Sequence, residues 1–192
     1  MAKIIYFHGF GSSGASGTVE NLRLLLPNDS IIAPDIPIDP NEALPFLQDL
    51  CKKENPDIII GTSMGGMYAH QMKGFTRICV NPALNMSRMS KVLKTGTHKF
   101  FNRRKDNTKE FKITKDIISH YNIMERNQFK NITDDDKEKC WGLFGIYDET
   151  VNTYDLFHKY YPNVRRFEGE HRLNAKVIKS VVLPLVHELL NN

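Results

Sequence analysis

The sequence predicts an α/β fold in three layers, with a parallel sheet between two layers of helices. Three observations carry this reading. Short apolar runs and helical stretches alternate along the whole chain, as they do in βαβ units. The apolar runs are nearly continuous rather than alternating, which is the pattern of strands covered on both faces. The 192 residues, 41% hydrophobic and 25% charged, suit one domain with a substantial core and an ordinary globular composition.

The first strand is Lys3–Phe7, an apolar, β-branched and aromatic run of the length a buried strand takes. Gly9 to Gly17 is a glycine- and serine-rich loop. Thr18 is the expected N-cap of a helix through Val19, Leu22, Leu25 and Leu26, stopped by Pro27. Ser30–Ala33 is the second strand, and Pro34, Pro37 and Pro40 break regular structure after it. Asn41–Lys53 is a helix with Leu44, Leu47, Leu50 and Cys51 on one side. Asp57–Gly61 is the third strand, Gly65–Lys73 a helix, and Arg77–Val80 the fourth strand. Residues 85–139 are patchily helical, most clearly over Thr114–Phe129, where Ile117, Ile118, Tyr121 and Met124 follow helical spacing. Lys139–Ile146 is the fifth strand, Asn152–Tyr160 a helix and Val164–Phe167 the sixth strand. The last helix, Asn174–Leu190, is expected to kink at Pro184.

Composition excludes several classes. No apolar run approaches the roughly 20 residues of a membrane-spanning helix. The apolar stretch Ile4 to Phe7 stops at His8-Gly9, short of an export core of about 7–15 residues. Cys51, Cys79 and Cys140 are too few and too scattered for a disulfide framework or a zinc cluster, so a reducing, cytoplasmic setting without a metal is expected. The net charge is +4, but residues 85–139 hold 14 basic and 8 acidic residues, a balance of +6, against −2 elsewhere. That asymmetry marks one segment and predicts no nucleic-acid partner. Within the segment, Arg103-Arg104-Lys105 reads most simply as a solvated face, or else as an attractor of anionic substrates. Asp134-Asp135-Asp136 reads as an exposed turn.

Gly9-Phe10-Gly11-Ser12-Ser13-Gly14 fits G-x-G-x-x-G after a strand and before a helix, with Asp35 about 20 residues on. This is the pattern of a dinucleotide site. The third glycine, however, falls before the expected helix start, and Asp35 sits in a Pro-Asp-Ile-Pro turn. The other reading is a loop whose N–H groups face a developing oxyanion.

Gly61-Thr62-Ser63-Met64-Gly65 matches G-x-S-x-G between an apolar strand and a helix. To lift a serine hydroxyl above a sheet the chain must turn within one residue, which crowds the positions two before and two after it. The alternative is a glycine-rich turn in which Ser63 only caps the helix. A nucleophilic serine needs a base and an orienting acid, in the chain order Ser, Asp/Glu, His. Asp148 follows the fifth strand and His171 the sixth, both at strand ends where a parallel sheet gathers its ligands. Glu149 competes with Asp148 as the acid. The other histidines, His8, His70, His98, His120, His158 and His187, read as packing or surface residues.

The set His8-Gly9-Phe10, Gly61–Gly66, Asn81-Pro82-Ala83, Asp148–Val151 and His171 resembles the YqiA/YcfP-like esterases, the UPF0227 group of small single-domain α/β-hydrolases. The resemblance covers most of residues 3–84 and 139–190. It implies a minimal six-stranded sheet in the order 2-1-3-4-5-6, with a helical cap inserted at about 85–138 of a single domain spanning 1–192. It further implies Ser63 as nucleophile, His171 as base, Asp148 as orienting acid, and the backbone N–H groups of Phe10 and Met64 as the oxyanion hole, with no cofactor. Where relatives commonly carry a Gly-Gly-x pattern before the histidine, this chain has Gly169-Glu170. The expected substrate is a small-molecule ester, or a thioester resembling acyl-CoA. The helix over Thr114–Phe129 is expected to roof the crevice and set acyl-chain preference. The rival functions are a dinucleotide-binding oxidoreductase using Gly9–Gly14, and a silent hydrolase fold that binds through its basic segment.

Overall fold

The structure is a computed structural model that describes residues 1–89 and 93–191. Its strands are β1 (Lys3–Phe7), β2 (Ser30–Ile32), β3 (Ile58–Thr62), β4 (Arg77–Val80), β5 (Gly96–Lys99), β6 (Glu110–Ile113), β7 (Cys140–Gly145) and β8 (Asn163–Phe167). Six form one sheet in the order β2-β1-β3-β4-β7-β8, every neighbouring pair parallel. This is the expected order, with β7 and β8 in the fifth and sixth places. The displaced numbering comes from an antiparallel hairpin, β5–β6, in a segment where only helical patches were legible.

Successive side chains of a strand point to opposite faces, and both faces are apolar here. Ile5, Phe7, Ile59 and Cys79 pack on one side, against α2 (Pro40–Glu54), α3 (Met64–Ala69), α4 (Lys115–Asn127) and α6 (Tyr154–His158), through Leu47, Met67, Tyr121 and Phe157. Ile4, Tyr6, Ile58, Ile60, Ile78 and Val80 pack on the other, against Val19 and Leu22 of α1 (Gly17–Leu25) and the C-terminal helical run. Each fully buried aliphatic side chain contributes about 1.5–3 kcal/mol, so both layers hold the sheet. No helix among the described residues is long and apolar enough to cross a membrane.

Several local expectations are corrected. The N-cap of α1 is Ser16, not Thr18. Pro40 opens α2 instead of preventing it, because the first helical position needs no N–H donor, and Asp39 caps that end by accepting the Asn41 N–H at 2.9 Å. The helix after Ser63 ends at Ala69; Gln71 and Met72 donate to carbonyls three residues back, at 3.0 Å, a tightened last turn. The C-terminal run is α7 (Ala175–Val177), a π-helical turn over Ile178–Val182, and α8 (Leu183–Leu190). The widened turn falls just before Pro184, whose missing N–H disturbs the helical ladder.

The acidic run is not an exposed turn. It opens the helix α5 (Asp134–Glu138), where Thr133 and Asp136 form a reciprocal capping box. Asp136 is buried, accepts the Gly74 N–H at 2.9 Å and stands 3.5 Å from the buried Arg77 guanidinium. Nor is Arg103-Arg104-Lys105 a solvated face throughout. Arg104 is buried, donates to the Ile36 carbonyl at 3.3 Å and lies 4.5 Å over the Phe100 ring. Of the expected cap at 85–138, residues 90–92 lie outside the described residues, as does Asn192 of the expected domain.

The connection between the two strands of the hairpin is tied to the glycine loop by a row of bonds. The Phe101 N–H donates to the Gly11 carbonyl at 2.8 Å, and the Asn102 amide to Ser12 Oγ at 3.0 Å. Ser13 Oγ donates to the Arg103 carbonyl at 2.8 Å. Asp35 closes the row, one oxygen accepting the Gly14 N–H at 2.8 Å and the other the Lys105 N–H at 2.7 Å. Its carboxylate is therefore spent on two amides, and α1 begins three residues beyond Gly14. Both facts oppose the dinucleotide reading, which needs Asp35 free for a ribose and Gly14 inside a helix.

Candidate active site

At the end of β3 the backbone of Ser63 takes φ 54° and ψ −118°, a conformation that costs a non-glycine residue on the order of 1–3 kcal/mol. The flanking glycines make the turn possible. A Cβ on Gly61 would collide with the Gly65 carbonyl, and one on Gly65 with the Phe7 carbonyl. The Ser63 N–H donates to the Val80 carbonyl, and its carbonyl accepts from Met67 and Ala83, all at 3.0 Å. The residue is thus held between the end of β4 and the first turn of α3. Its side chain forms no helix cap, so the capping alternative does not describe it.

The Ser63 hydroxyl instead lies 3.0 Å from His171 Nε2, and His171 Nδ1 lies 2.8 Å from Asp148 Oδ2. A carboxylate can only accept, so Nδ1 carries the proton and the Nε2 lone pair faces the hydroxyl. Asp148 Oδ1 accepts the N–H groups of Thr150 and Val151 at 2.8 and 2.9 Å. Its side chain is 3% exposed and that of His171 19%. Glu149 is exposed and takes no part in this chain of bonds. Glu170 is also exposed; among the described residues only its carbonyl is engaged, by Asn81.

Asn81 is a residue that motif reasoning placed only within the resemblance. At φ 43° it uses a left-handed conformation that asparagine tolerates. Its amide donates to the carbonyls of Glu170 and His171 at 3.0 and 3.1 Å, and its oxygen accepts the Gly145 N–H at 2.8 Å. It thereby joins the ends of β4 and β7 to the His171 loop. An asparagine between the end of an apolar strand and a proline was the available signal.

His8 is the second such support. Its Nε2 accepts the Ile36 N–H at 3.0 Å and its Nδ1–H donates to the Gly9 carbonyl at 2.8 Å. Burial holds its pKa down at about 4, and burial likewise holds that of His70 at about 3. Both histidines fold neutral. Unfolded histidine titrates near 6.5, so the unfolded chain binds more protons between about pH 6.5 and 4. Their contribution to stability is complete above that window and is lost as pH falls through it. The melting temperature is expected to drop steadily from pH 7 to 4.5, and the slope to be shallower in His8→Asn; an unchanged slope in that variant would refute the assignment.

Ser63 and His171 open into a cleft of about 970 Å³. Phe10 lines it, and Gly9 packs over Ser63, where a Cβ would stand 3.5 Å from the serine Cβ. Met64, the first residue of α3, has an N–H with no intrahelical acceptor. The outer wall comes from the hairpin and the connection between its strands, through His98, Lys99, Phe101 and Phe111. Among the described residues none of 114–129 lines the cleft. The expected roof is corrected accordingly: α4 is packed into the core, its Tyr121 hydroxyl donating to the Ile38 carbonyl at 3.0 Å. Among the described residues no cluster of three His, Cys, Asp or Glu side chains is arranged to hold a metal.

The sequence model of the Uncharacterised protein family (UPF0227) matches residues 3–180. No curated protein sequence matches the chain. Solved structures do. A monoacylglycerol lipase of Paleococcus ferrophilus superposes with a TM-score of 0.67 at 14% identity, covering 98% of this chain and 94% of its own. Est1E from Butyrivibrio proteoclasticus, with ferulic acid bound, gives 0.66 at 15%, covering 100% and 90%. A thioesterase domain from the curacin biosynthetic pathway gives 0.60 at 13%, covering 98% and 91%. At these identities the likeness is one of fold, and the fold is that of the α/β-hydrolases.

Proposed function

The chain belongs to the UPF0227 family, and from that premise we propose that it is a serine hydrolase cleaving carboxylic esters through an acyl-enzyme. The observation that carries the reading is the unbroken chain of hydrogen bonds from Ser63 through His171 to Asp148. In this mechanism His171 Nε2 takes the hydroxyl proton as Ser63 Oγ attacks the ester carbonyl. The tetrahedral intermediate collapses, the leaving alcohol receives that proton, and the acyl group stays on Ser63. Water, deprotonated by the same nitrogen, then releases the acid and restores the hydroxyl.

Asp148 fixes the tautomer and stabilises the imidazolium. The N–H groups of Phe10 and Met64 are the proposed oxyanion donors; each donor of this kind lowers the barrier by about 2.7–4 kcal/mol. The turn at Ser63 is in this reading a nucleophile elbow. Residues 85–138 are a cap on a single domain, with the hairpin rather than α4 over the cleft. The hydrolases among the solved structures support the reaction class, and the substrate is a small-molecule ester or thioester.

A fluorophosphonate probe tests the proposal directly. Labelling is expected at Ser63 alone, and hydrolysis of a series of 4-nitrophenyl esters and matching thioesters is expected from the same preparation. Labelling elsewhere, or none with the protein folded, removes the reading.

A further inference from the structure

The cleft that holds Ser63 is also where α1 begins, and Ser16, Gly17, Thr18 and Asn21 form part of its wall. α1 is nine residues long. The N–H groups of Val19 and Glu20 bond the Ser16 carbonyl at 2.9 and 3.2 Å, while those of Gly17 and Thr18 come too early to find an intrahelical acceptor. That end of a helix carries partial positive charge and attracts anions. Ser16 adds an independent sign. It is only 7% exposed, yet its hydroxyl caps nothing and has no hydrogen-bond partner among the described residues. Buried hydroxyls are nearly always paired, and a bound acceptor would supply the missing bond. The space over Gly17 is open: a Cβ there would meet nothing within 4 Å.

The charges around the cleft agree. Arg172 and Lys99 line it, both exposed and neither in an ion pair among the described residues. No aspartate or glutamate lines it. Glu20, the one acid of α1, and Glu149 and Glu170, sequence neighbours of lining residues, all lie outside the lining.

We infer that the α1 N-terminus is an anion subsite and that the substrate is an ester bearing a carboxylate or phosphate group. The anion binds the Gly17 and Thr18 N–H groups and the Ser16 hydroxyl, with Arg172 and Lys99 supplying the field, while the ester carbonyl stands at Ser63. The inference rests on the hydrolase reading. It moves the attraction for negative substrates away from Arg103-Arg104-Lys105, whose central guanidinium is buried, and into the cleft itself.

Two ester pairs separate carboxylate from phosphate: mono-4-nitrophenyl glutarate against 4-nitrophenyl valerate, and 2-phosphoethyl butyrate against ethyl butyrate. In one pair at least, the anionic member is expected to have a kcat/KM about ten-fold higher at low ionic strength, the ratio shrinking as salt is raised. Gly17→Glu places a carboxylate in the open space at the first helical position, where an acid suits the helix, and is expected to abolish that ratio. Binding is read separately: glutarate or inorganic phosphate is expected to raise the melting temperature of the wild type but not of Gly17→Glu. Ratios near one in both pairs, a ratio that survives Gly17→Glu, or no thermal shift with either anion would overturn the subsite. If no ester is hydrolysed while the thermal shift appears and is lost in Gly17→Glu, the hydrolase reading fails and the subsite stands.

Discussion

Ser63→Ala is expected to lower kcat toward 4-nitrophenyl butyrate by about a million-fold, the loss seen when the nucleophile of a serine hydrolase is removed. The residual rate should come from binding and oxyanion stabilisation alone. Stability provides the control, because Ser63 pays for its position in backbone strain at φ 54°. Alanine keeps that strain, so the variant should unfold at nearly the wild-type urea concentration. Ser63→Gly relieves it. Weighing strain relief of about 1–3 kcal/mol against roughly 0.5–1 kcal/mol of added chain entropy, Ser63→Gly should be more stable by on the order of 1 kcal/mol while equally inactive. An alanine variant that retains turnover, with its fold intact, would remove Ser63 from the mechanism. A glycine variant that is less stable than wild type would remove the strain argument and leave the chemistry untouched.

The core sheet was legible because its signals are local. Lys3–Phe7 and Arg77–Val80 stand where the apolar pattern puts them, and the glycines around Ser63 mark a turn that little else would require. Ser63, Asp148 and His171 could be named from chain order, since each follows a strand whose end lies at the same edge of a parallel sheet. What the sequence did not reveal depends on partners distant in the chain. Arg104 looks like one cation in a basic run, and only the Ile36 carbonyl and the Phe100 ring explain its burial. Asp136 looks like one carboxylate of three, and only Gly74 and Arg77 single it out. The hairpin was missed because its strands are four residues each and carry Thr97, Lys99, Glu110 and Lys112. Glu110-Phe111-Lys112-Ile113 does alternate, with Phe111 and Ile113 on the inner face, but an alternation of four residues is too short to stand out from the helical patches around it.

The hairpin changes what can be said about specificity as well. The connection between its strands is fastened to the loop of Gly11, Ser12 and Ser13, the same loop that carries Phe10 and Gly9 against Ser63. The wall of the cleft and the proposed oxyanion donor therefore belong to one bonded unit. Substitutions in residues 101–105 should consequently alter turnover of all esters together, whereas changes in Phe111 or His98 should alter choice among them.

Asp148→Asn is the second large effect, expected at about 10⁴-fold in kcat, the loss measured when an orienting aspartate becomes its amide in a serine protease. The cause can be followed atom by atom. Oδ1 of Asp148 accepts the N–H groups of Thr150 and Val151, and an asparagine must keep its oxygen there, because turning the amide would set N–H against N–H. The –NH₂ group then faces His171 Nδ1, which can meet it only as an acceptor. The imidazole proton moves to Nε2, and the nitrogen that should receive the Ser63 proton already carries one. KM should change little, since the carboxylate is 3% exposed and lies beneath the histidine. Glu149→Gln is the matched comparison: it removes a neighbouring carboxylate of exposed position and should leave kcat within about three-fold, as most surface substitutions leave stability and function nearly intact. If instead the Glu149 variant lost activity and the Asp148 variant kept it, the orienting acid would have been misassigned even though the hydrogen-bond geometry is favourable, and the His171 loop would have to rearrange during turnover.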